Sequence, residues 1–327
     1  MSETANIAIM AEDISSHIFK QFKWTTKGPM NVDWKCVCPQ KHSKKTHPSD
    51  VVFHYIEPYR NSISCINTDL KSYKKGSITR DQICGAIQSL DMAIECAKVS
   101  GEWQTLYAPP ENYEVFGLLF IYNHDGGYDL EFGQLLDKAM RRVNIAPKNK
   151  IFVLSPYDIC YLKTVTNDIA TLRGAEDCTK IPDSQNCSFY YPTTSRLKHA
   201  HAPVSHPATL EMLTGPWQIM RYNIDGDASK GFGISVYMRT PGNTKEEFIY
   251  LIDYLCTYQL LNESKKIMIN LPNASPIANV MFENAVKDYI SMRNDDFFAQ
   301  KIKSISLRRI TNIVTSYSTV EIGMRYE

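Results

Sequence analysis

Asp50, Asp69 and Lys71 are the residues of this 327-residue chain whose types and spacing bear most directly on chemistry. Asp69-Leu70-Lys71 closes the run SISCINTDLKSY (Ser62 to Tyr73), which follows DVVFHYIE (Asp50 to Glu57). Both runs are rich in β-branched and aromatic residues, and Pro58-Tyr59-Arg60-Asn61 between them has turn chemistry, so the pattern predicts a hairpin. A turn centred between Tyr59 and Arg60 sets Asp50 directly opposite Asp69. Alternation points Asp69 and Lys71 to one face and Leu70 to the other. Opposed Cβ atoms lie about 5 Å apart. Two ionised carboxylates at that separation repel by about 3 kcal/mol at an effective dielectric of ~20. A sheet has little reason to tolerate this unless a cation lies between them. Converging carboxylates suit Mg²⁺ (or Mn²⁺), which prefers oxygen ligands and keeps several waters. A lysine beside such an ion can position water and stabilise charge developing on a phosphate oxygen. Together the three residues suit phosphodiester hydrolysis.

The elements that must hold these residues are legible around them. Ile7, Met10, Ala11, Ile14, Ile18 and Phe22 recur at helical spacing, predicting an amphipathic helix over about 5–23, ended by Lys27-Gly28-Pro29. VDWKCVC (32–38) reads as a short strand and PQKHSKKTHPS (39–49) as a loop. After the hairpin, Thr79-Arg80-Asp81-Gln82 fits a capping box, and Ile83, Ile87, Leu90, Ile94 and Ala97 mark a buried helical stripe. EVFGLLFIY (114–122) is apolar throughout, as expected of a strand buried on both faces, and a helix follows over about 129–142. The order helix, three strands, helix, strand, helix indicates an α/β domain with a mixed sheet. A boundary near Ala146-Pro147-Lys148-Asn149 divides the chain into residues 1–146 and 147–327. The second part begins with the strand IFVLSP and a Pro/His/Ser-rich connection over about 174–208. From 215 onward it reads strand, strand, helix, strand, helix, strand, strand, the last being STVEIGMR (318–325). It is expected to be a C-terminal α/β domain for recognition, dimerisation or partner binding.

Asp50, then Asp69-Leu70-Lys71 at the end of the next strand, then an amphipathic helix, resembles the PD-(D/E)XK, or restriction-endonuclease-like, nuclease superfamily. The resemblance spans about residues 5–142. It implies an N-terminal restriction-endonuclease-like mixed sheet flanked by helices, with Asp50 and Asp69 as metal ligands and Lys71 as the catalytic lysine. Glu12 matches an acidic residue that many members carry on the first helix, and is expected as a further metal ligand. Gln82 matches a polar residue that some members place on the helix after the lysine, and is expected to join the catalytic set. Two departures stand out: Ser49 separates Pro48 from Asp50, and Asp69 replaces the commoner glutamate.

Composition sets the partners. A net charge of +1 conceals an asymmetry, since Lys20 to Arg80 holds twelve Lys/Arg against four Asp/Glu. A basic segment in a neutral chain suits a local polyanion surface or, equally, a solvated lysine-rich face. Taken with the resemblance, the expected partner is nucleic acid, double-stranded DNA before RNA. Lys44, Lys45, His47, Lys74, Lys75 and Arg80 are the expected phosphate contacts. With no apolar run of about 20 residues and no signal-like N-terminus, the chain is expected to be cytoplasmic and free of membrane contact. Nine cysteines in no regular pattern read as reduced core thiols. Cys36, Cys38, His42 and His47 are of ligand type for zinc, but their spacing departs from common zinc patterns. The preferred reading is two strand cysteines and two histidines in a basic loop. Asn123-His124-Asp125-Gly126-Gly127 reads as a turn, and His199, His201 and His206 share no evident purpose. No P-loop or Ser-His-Asp arrangement occurs. The resulting expectation is a metal-dependent endonuclease, working as a homodimer or with a second subunit, in restriction or anti-phage defence by analogy. The alternative is a non-catalytic nucleic-acid- or partner-binding subunit that uses the nuclease fold as scaffold.

Overall fold

Strand pairing follows the register expected from the turn. The computed structural model of the chain describes residues 3–60, 62–192, 205–292 and 295–311. Contacts divide them into one unit up to Cys160 and a second from Tyr161.

In chain order the first unit contains α1 (Glu3–Gln21), β1 (Thr25–Lys27), β2 (Val32–Lys35), α2 (Pro39–His42), β3 (Thr46–Ser49), β4 (Val51–Ile56) and β5 (Ile63–Tyr73). There follow α3 (Arg80–Ala97), α4 (Gly101–Tyr107), β6 (Tyr113–Asn123), α5 (Phe132–Met140) and β7 (Ile151–Leu154). Its main sheet has the order β1-β4-β5-β6-β7. The first two pairings are antiparallel and the last two parallel. The sheet is therefore mixed. Between β5 and β6 the chain crosses over through α3 and α4, as a parallel pair requires.

Strand alternation gives the sheet two apolar faces. Phe53 and Phe120 meet Phe19 of α1 on one face, with ring centroids 4.8 and 6.1 Å away. Val52, Cys65, Val115, Leu119 and Ile121 face the other way, into a core with Ile83, Ile87, Leu90 and Ile94 of α3. The stripe expected on α3 is buried throughout. On α1, Ala11, Ile18 and Phe22 are buried, while the side chains of Ile7 and Met10 lie outside the described residues. The capping box forms by half. Gln82 N–H donates to Thr79 Oγ1, but Thr79 N–H donates to Ser77 O rather than to the Gln82 side chain.

Three expectations change. VDWKCVC supplies β2, but β2 pairs antiparallel with β3 in a separate two-stranded sheet, and β1 takes the place beside β4. The loop read over 39–49 accordingly contains α2 and β3. The segment Ala146 to Asn149 is no free linker. Asp91 of α3 accepts from Ala146 N–H at 3.2 Å and from Asn149 Nδ2 at 2.7 Å. β7 beyond it pairs with β6, so the first unit runs past position 146.

The second unit carries most of α6 (Pro156–Gly174), then β8 (Cys187–Phe189), α7 (Leu210–Thr214), β9 (Trp217–Asn223) and β10 (Phe232–Met238). It continues with α8 (Lys245–Thr257), α9 (Leu260–Glu263), β11 (Lys266–Pro272), α10 (Ala278–Ser291), α11 (Asp296–Lys303) and β12 (Ser306–Ile310). Its sheet order is β12-β11-β10-β9-β8, parallel from β10 to β12 and antiparallel from β8 to β10. The C-terminal α/β expectation therefore holds. α6, β8, α7 and α11 were not foreseen, and the strand expected at 318–325, like His199 and His201, lies outside the described residues. No helix of the described residues is long and apolar enough to cross a membrane.

One face of this second sheet is wired by polar groups. Asp168 of α6 accepts from Tyr237 Oη at 2.8 Å and pairs with Arg308, whose Nε donates to Asn270 Oδ1. Asp168→Ala would leave Arg308 and Tyr237 without their shared acceptor in a buried setting. A loss of about 3–5 kcal/mol is expected in chemical denaturation of the second unit. A change below about 1 kcal/mol would mean that the network rearranges at little cost.

Candidate metal and phosphate site

Three elements converge on Asp50, Asp69 and Lys71. Val51 pairs with Thr68 on the adjoining strands, so the ladder reaches the step before Asp50 and Asp69 in the expected register. Asp50 itself lies in a bend between β3 and β4, where two strands of different sheets meet. Its Oδ2 accepts from Leu70 N–H at 2.6 Å, and its carbonyl accepts from Asn31 N–H at 2.9 Å. Asp69 and Lys71 share the strand parity of Cys65 and so face α3. The middle of α3 closes the site. Pro48, Asp50, Thr68, Asp69, Ser89, Leu90 and Ala93 line a cavity of about 10 Å³, roughly the room one water-sized body needs.

Electrostatics set these groups apart from ordinary surface residues. Burial, followed by the Asp69 carboxylate in hydrogen-bonding reach, pushes the Asp50 pKa up to about 6, against the opposing pull of Leu70 N–H and Lys71. Burial alone would lower the Lys71 pKa, but the charges of Asp69 and Asp50 outweigh it and raise the value, so the ammonium is retained. Lys71 Nζ lies 2.5 Å from Asp69 Oδ1, with side chains 33% and 16% exposed. This is a half-buried set of two carboxylates and one ammonium. Its net charge becomes negative once Asp50 ionises, and a carboxylate that burial and a like charge hold partly protonated is a ready ligand for a hard cation. The donor set and the small cavity fit a divalent ion.

The other expected residues are distributed unequally. Glu12 on α1 accepts from Asn31 Nδ2 at 2.7 Å, and Asn31 N–H is bound to the Asp50 carbonyl, so Glu12 reaches the site through Asn31. Among the described residues Glu12 does not join Asp50 and Asp69 in a group of three close enough to share one ion. In this metal-free arrangement Glu12 thus stands behind Asp50, joined to it through Asn31, and not beside Asp50 and Asp69 as the expected ligand set has it. Gln82 is exposed at the start of α3, seven residues before Ser89, or about 10 Å along the helix. Its backbone N–H serves the cap, and its side chain is not among those that line the cavity.

Among the basic residues, Lys44 Nζ donates to Ser89 Oγ at 2.8 Å, which puts an ammonium at the edge of the cavity. Lys45 and Lys74 are exposed. Lys75 pairs with Asp129 at 2.6 Å and Arg80 with Asp81 at 3.0 Å, so neither is a bare cation awaiting phosphate. His47 is corrected outright. It is fully buried, and burial pushes its pKa down to about 4, so it offers a phosphate neither access nor charge. The 123–127 turn is confirmed as structural, with Asp125 accepting from Lys75 N–H and Gly127 N–H.

Sequence reading missed Ser89, Ala93 and the support behind Asp50. Trp34 Nε1 donates to Ser49 Oγ at 3.0 Å, and Ser49 Oγ donates to Asn67 Oδ1 at 2.5 Å, holding the residue just before Asp50 to β5. A usable signal existed on α3. Ser89 and Ala93 stand four residues apart on one helical face and are small, which leaves room above the carboxylates.

Residues 1–158 match the family model of the GAPS4 protein PD-(D/E)XK nuclease domain. This region is a PD-(D/E)XK nuclease-family domain. The match covers the whole mixed sheet, α1 to α5 and all three residues of the site. PD-(D/E)XK nucleases generally use divalent metal ions, in keeping with the donor set. No curated protein and no solved structure matches the chain.

Proposed function

We propose that this protein is a divalent-metal-dependent endonuclease that hydrolyses phosphodiester bonds, in double-stranded DNA in preference to RNA. The observation that carries the reading is the convergence of Asp50 and Asp69 on one small cavity under α3, with the Lys71 ammonium paired to Asp69 beside it. Asp50 and Asp69 hold the ion, which is Mg²⁺ or Mn²⁺ by their hard oxygen chemistry. A divalent ion held there would supply Lewis-acid polarisation of the phosphodiester and a more acidic water. Lys71, kept charged by its acidic neighbours, orients the attacking water and stabilises negative charge on the phosphate oxygens. Glu12, through Asn31, fixes the bend that presents Asp50. Lys44, Lys45 and Lys74 hold the nucleic-acid backbone, with Lys44 nearest the cleaved bond. The second unit serves recognition, dimerisation or binding of a partner subunit. The setting is restriction or phage defence inside the cell, where this superfamily often serves.

The test is direct. Purified protein is incubated with plasmid, linear duplex and RNA, with and without Mg²⁺ or Mn²⁺. Cutting that needs the ion, and that Asp69→Ala abolishes, supports the enzyme. Binding without cutting under every condition would support a scaffold instead.

Ion binding also has an expected pH dependence. Loading requires Asp50 as carboxylate, and its pKa in the metal-free fold is about 6. Affinity should therefore rise as pH increases through this value, with release of about half a proton on binding at pH 6 and nearly one at pH 5. Calorimetry in buffers of differing ionisation enthalpy measures both. Equal affinity at about pH 5 and about pH 7.5 would contradict the part given to Asp50.

A further inference from the structure

A second cluster stands beside the acidic site and takes no part in it. Cys36 follows β2, His42 ends α2, His47 lies in β3 and Cys96 lies in the last turn of α3. All four are buried, His47 and Cys96 completely and Cys36 and His42 to within 9% and 6%. Their ligand atoms all lie within 4.8 Å of one another. The two Sγ atoms are 3.7 Å apart, and each lies 3.4 Å from His42 Nδ1.

These separations are informative. A disulfide would bring the sulfurs to about 2.05 Å, and the observed gap is far too wide. A tetrahedral zinc with Zn–S of about 2.3 Å and Zn–N of about 2.0–2.1 Å requires S···S edges near 3.8 Å and S···N edges near 3.6 Å. The three edges among Cys36, Cys96 and His42 come within a few tenths of an ångström of those values, and His47 lies within 4.8 Å of all three. Hydrogen bonding among the four explains it less well. Both ring nitrogens of fully buried His47 have no hydrogen-bond partner, which a neutral imidazole in a protein core rarely tolerates. On the outer side, His42 Nε2 lies 3.5 Å from Glu95 Oε2, the placement of a carboxylate that orients a ligating histidine. Backbone N–H groups of Val37 and Cys38 are directed at Cys96 Sγ.

We infer that Cys36, His42, His47 and Cys96 form a structural zinc site. Four protein ligands fill a tetrahedral shell and leave no open position, so the ion is structural. It ties the β2–β3 hairpin to α3, and so fixes two walls of the neighbouring cavity: His47 lies three residues before Asp50, and Cys96 shares α3 with Ser89. Residue type alone placed Cys38 among the candidate ligands. Cys38 instead caps α2, its carbonyl accepting from His42 N–H, and Cys96 arrives from sixty residues away.

The test is elemental analysis of the full-length protein purified from zinc-supplemented medium. About one zinc per chain is expected, retained in Cys38→Ser and in Asp69→Ala, and lost in Cys96→Ser and His47→Ala. The last two variants risk misfolding, so the wild-type protein supplies an independent reading. Mercurial titration of its thiols should release the zinc in step with modification, and Co²⁺ in its place should show the intense visible bands of a tetrahedral thiolate site. Wild-type protein that holds less than about a tenth of a zinc per chain and takes none from equimolar Zn²⁺ would overturn the inference. So would zinc retained in full by folded Cys96→Ser.

Discussion

Asp50→Asn should abolish metal-dependent cutting and, in the absence of metal, raise the melting temperature of the first unit. The two effects have one cause. In the metal-free fold Asp50 titrates near 6 because burial and Asp69 disfavour its charge, whereas an unfolded aspartate titrates near 3.8. A raised folded pKa favours the protonated form, so this group's stabilisation is present below about 3.8 and lost as pH rises through about 6. At neutral pH the ionised carboxylate destabilises the fold by an amount on the order of 3 kcal/mol. Asparagine removes that charge, while its amide oxygen can still accept from Leu70 N–H, the bond Asp50 Oδ2 makes at 2.6 Å. A gain of roughly 5–10 °C in EDTA is expected at pH 7.5. Addition of Mg²⁺ should stabilise the wild type and leave the variant unmoved. Thermal scans with and without the ion measure this; a variant that melts below the wild type in EDTA would show that the bend needs the carboxylate for its shape.

Lys71→Met should reduce the cutting rate by about 10²–10⁴-fold, the range for loss of a preorganised charge beside a reacting phosphate. Methionine keeps the aliphatic stem, so packing against β5 and its neighbours is largely preserved. Electrostatics predict a second consequence. Lys71 now lowers the Asp50 pKa and pairs with Asp69 at 2.5 Å. Its removal leaves the carboxylates facing each other without an ammonium, so the Asp50 pKa should move further up and ion binding should require higher pH. Single-turnover rates at saturating Mn²⁺ separate the chemical loss from the binding shift. A variant that cuts within about threefold of the wild type once the ion is saturating would remove Lys71 from the chemistry.

Much of the site was legible because strand periodicity is strict. A period of two and a turn at Tyr59-Arg60 suffice to bring Asp50 and Asp69 to adjoining ends of β4 and β5, and the observed register agrees with that spacing. The α3 stripe was equally readable, since Ile83, Ile87, Leu90, Ile94 and Ala97 repeat over four turns. What escaped depends on non-local pairing. β1 is three residues long and carries no apolar pattern, so only its contact with β4 reveals it. β3 holds a proline and two exposed positions, which read as loop until its partner β2 is known. Lys75 and Arg80 looked available because acidic partners do not show as such in a sequence. The zinc cluster was half visible, since three of its ligands lie within twelve residues, but Cys96 joins it only when α3 packs against the β2–β3 hairpin.

A crystal of the protein soaked in Mn²⁺ at pH 7.5, with an anomalous difference map, measures the matter on which the functional reading rests. A peak in contact with the carboxylates of both Asp50 and Asp69, and absent from Asp69→Ala crystals, is the expected result. Empty density between those carboxylates, at an ion concentration that supports cutting in solution, would contradict it.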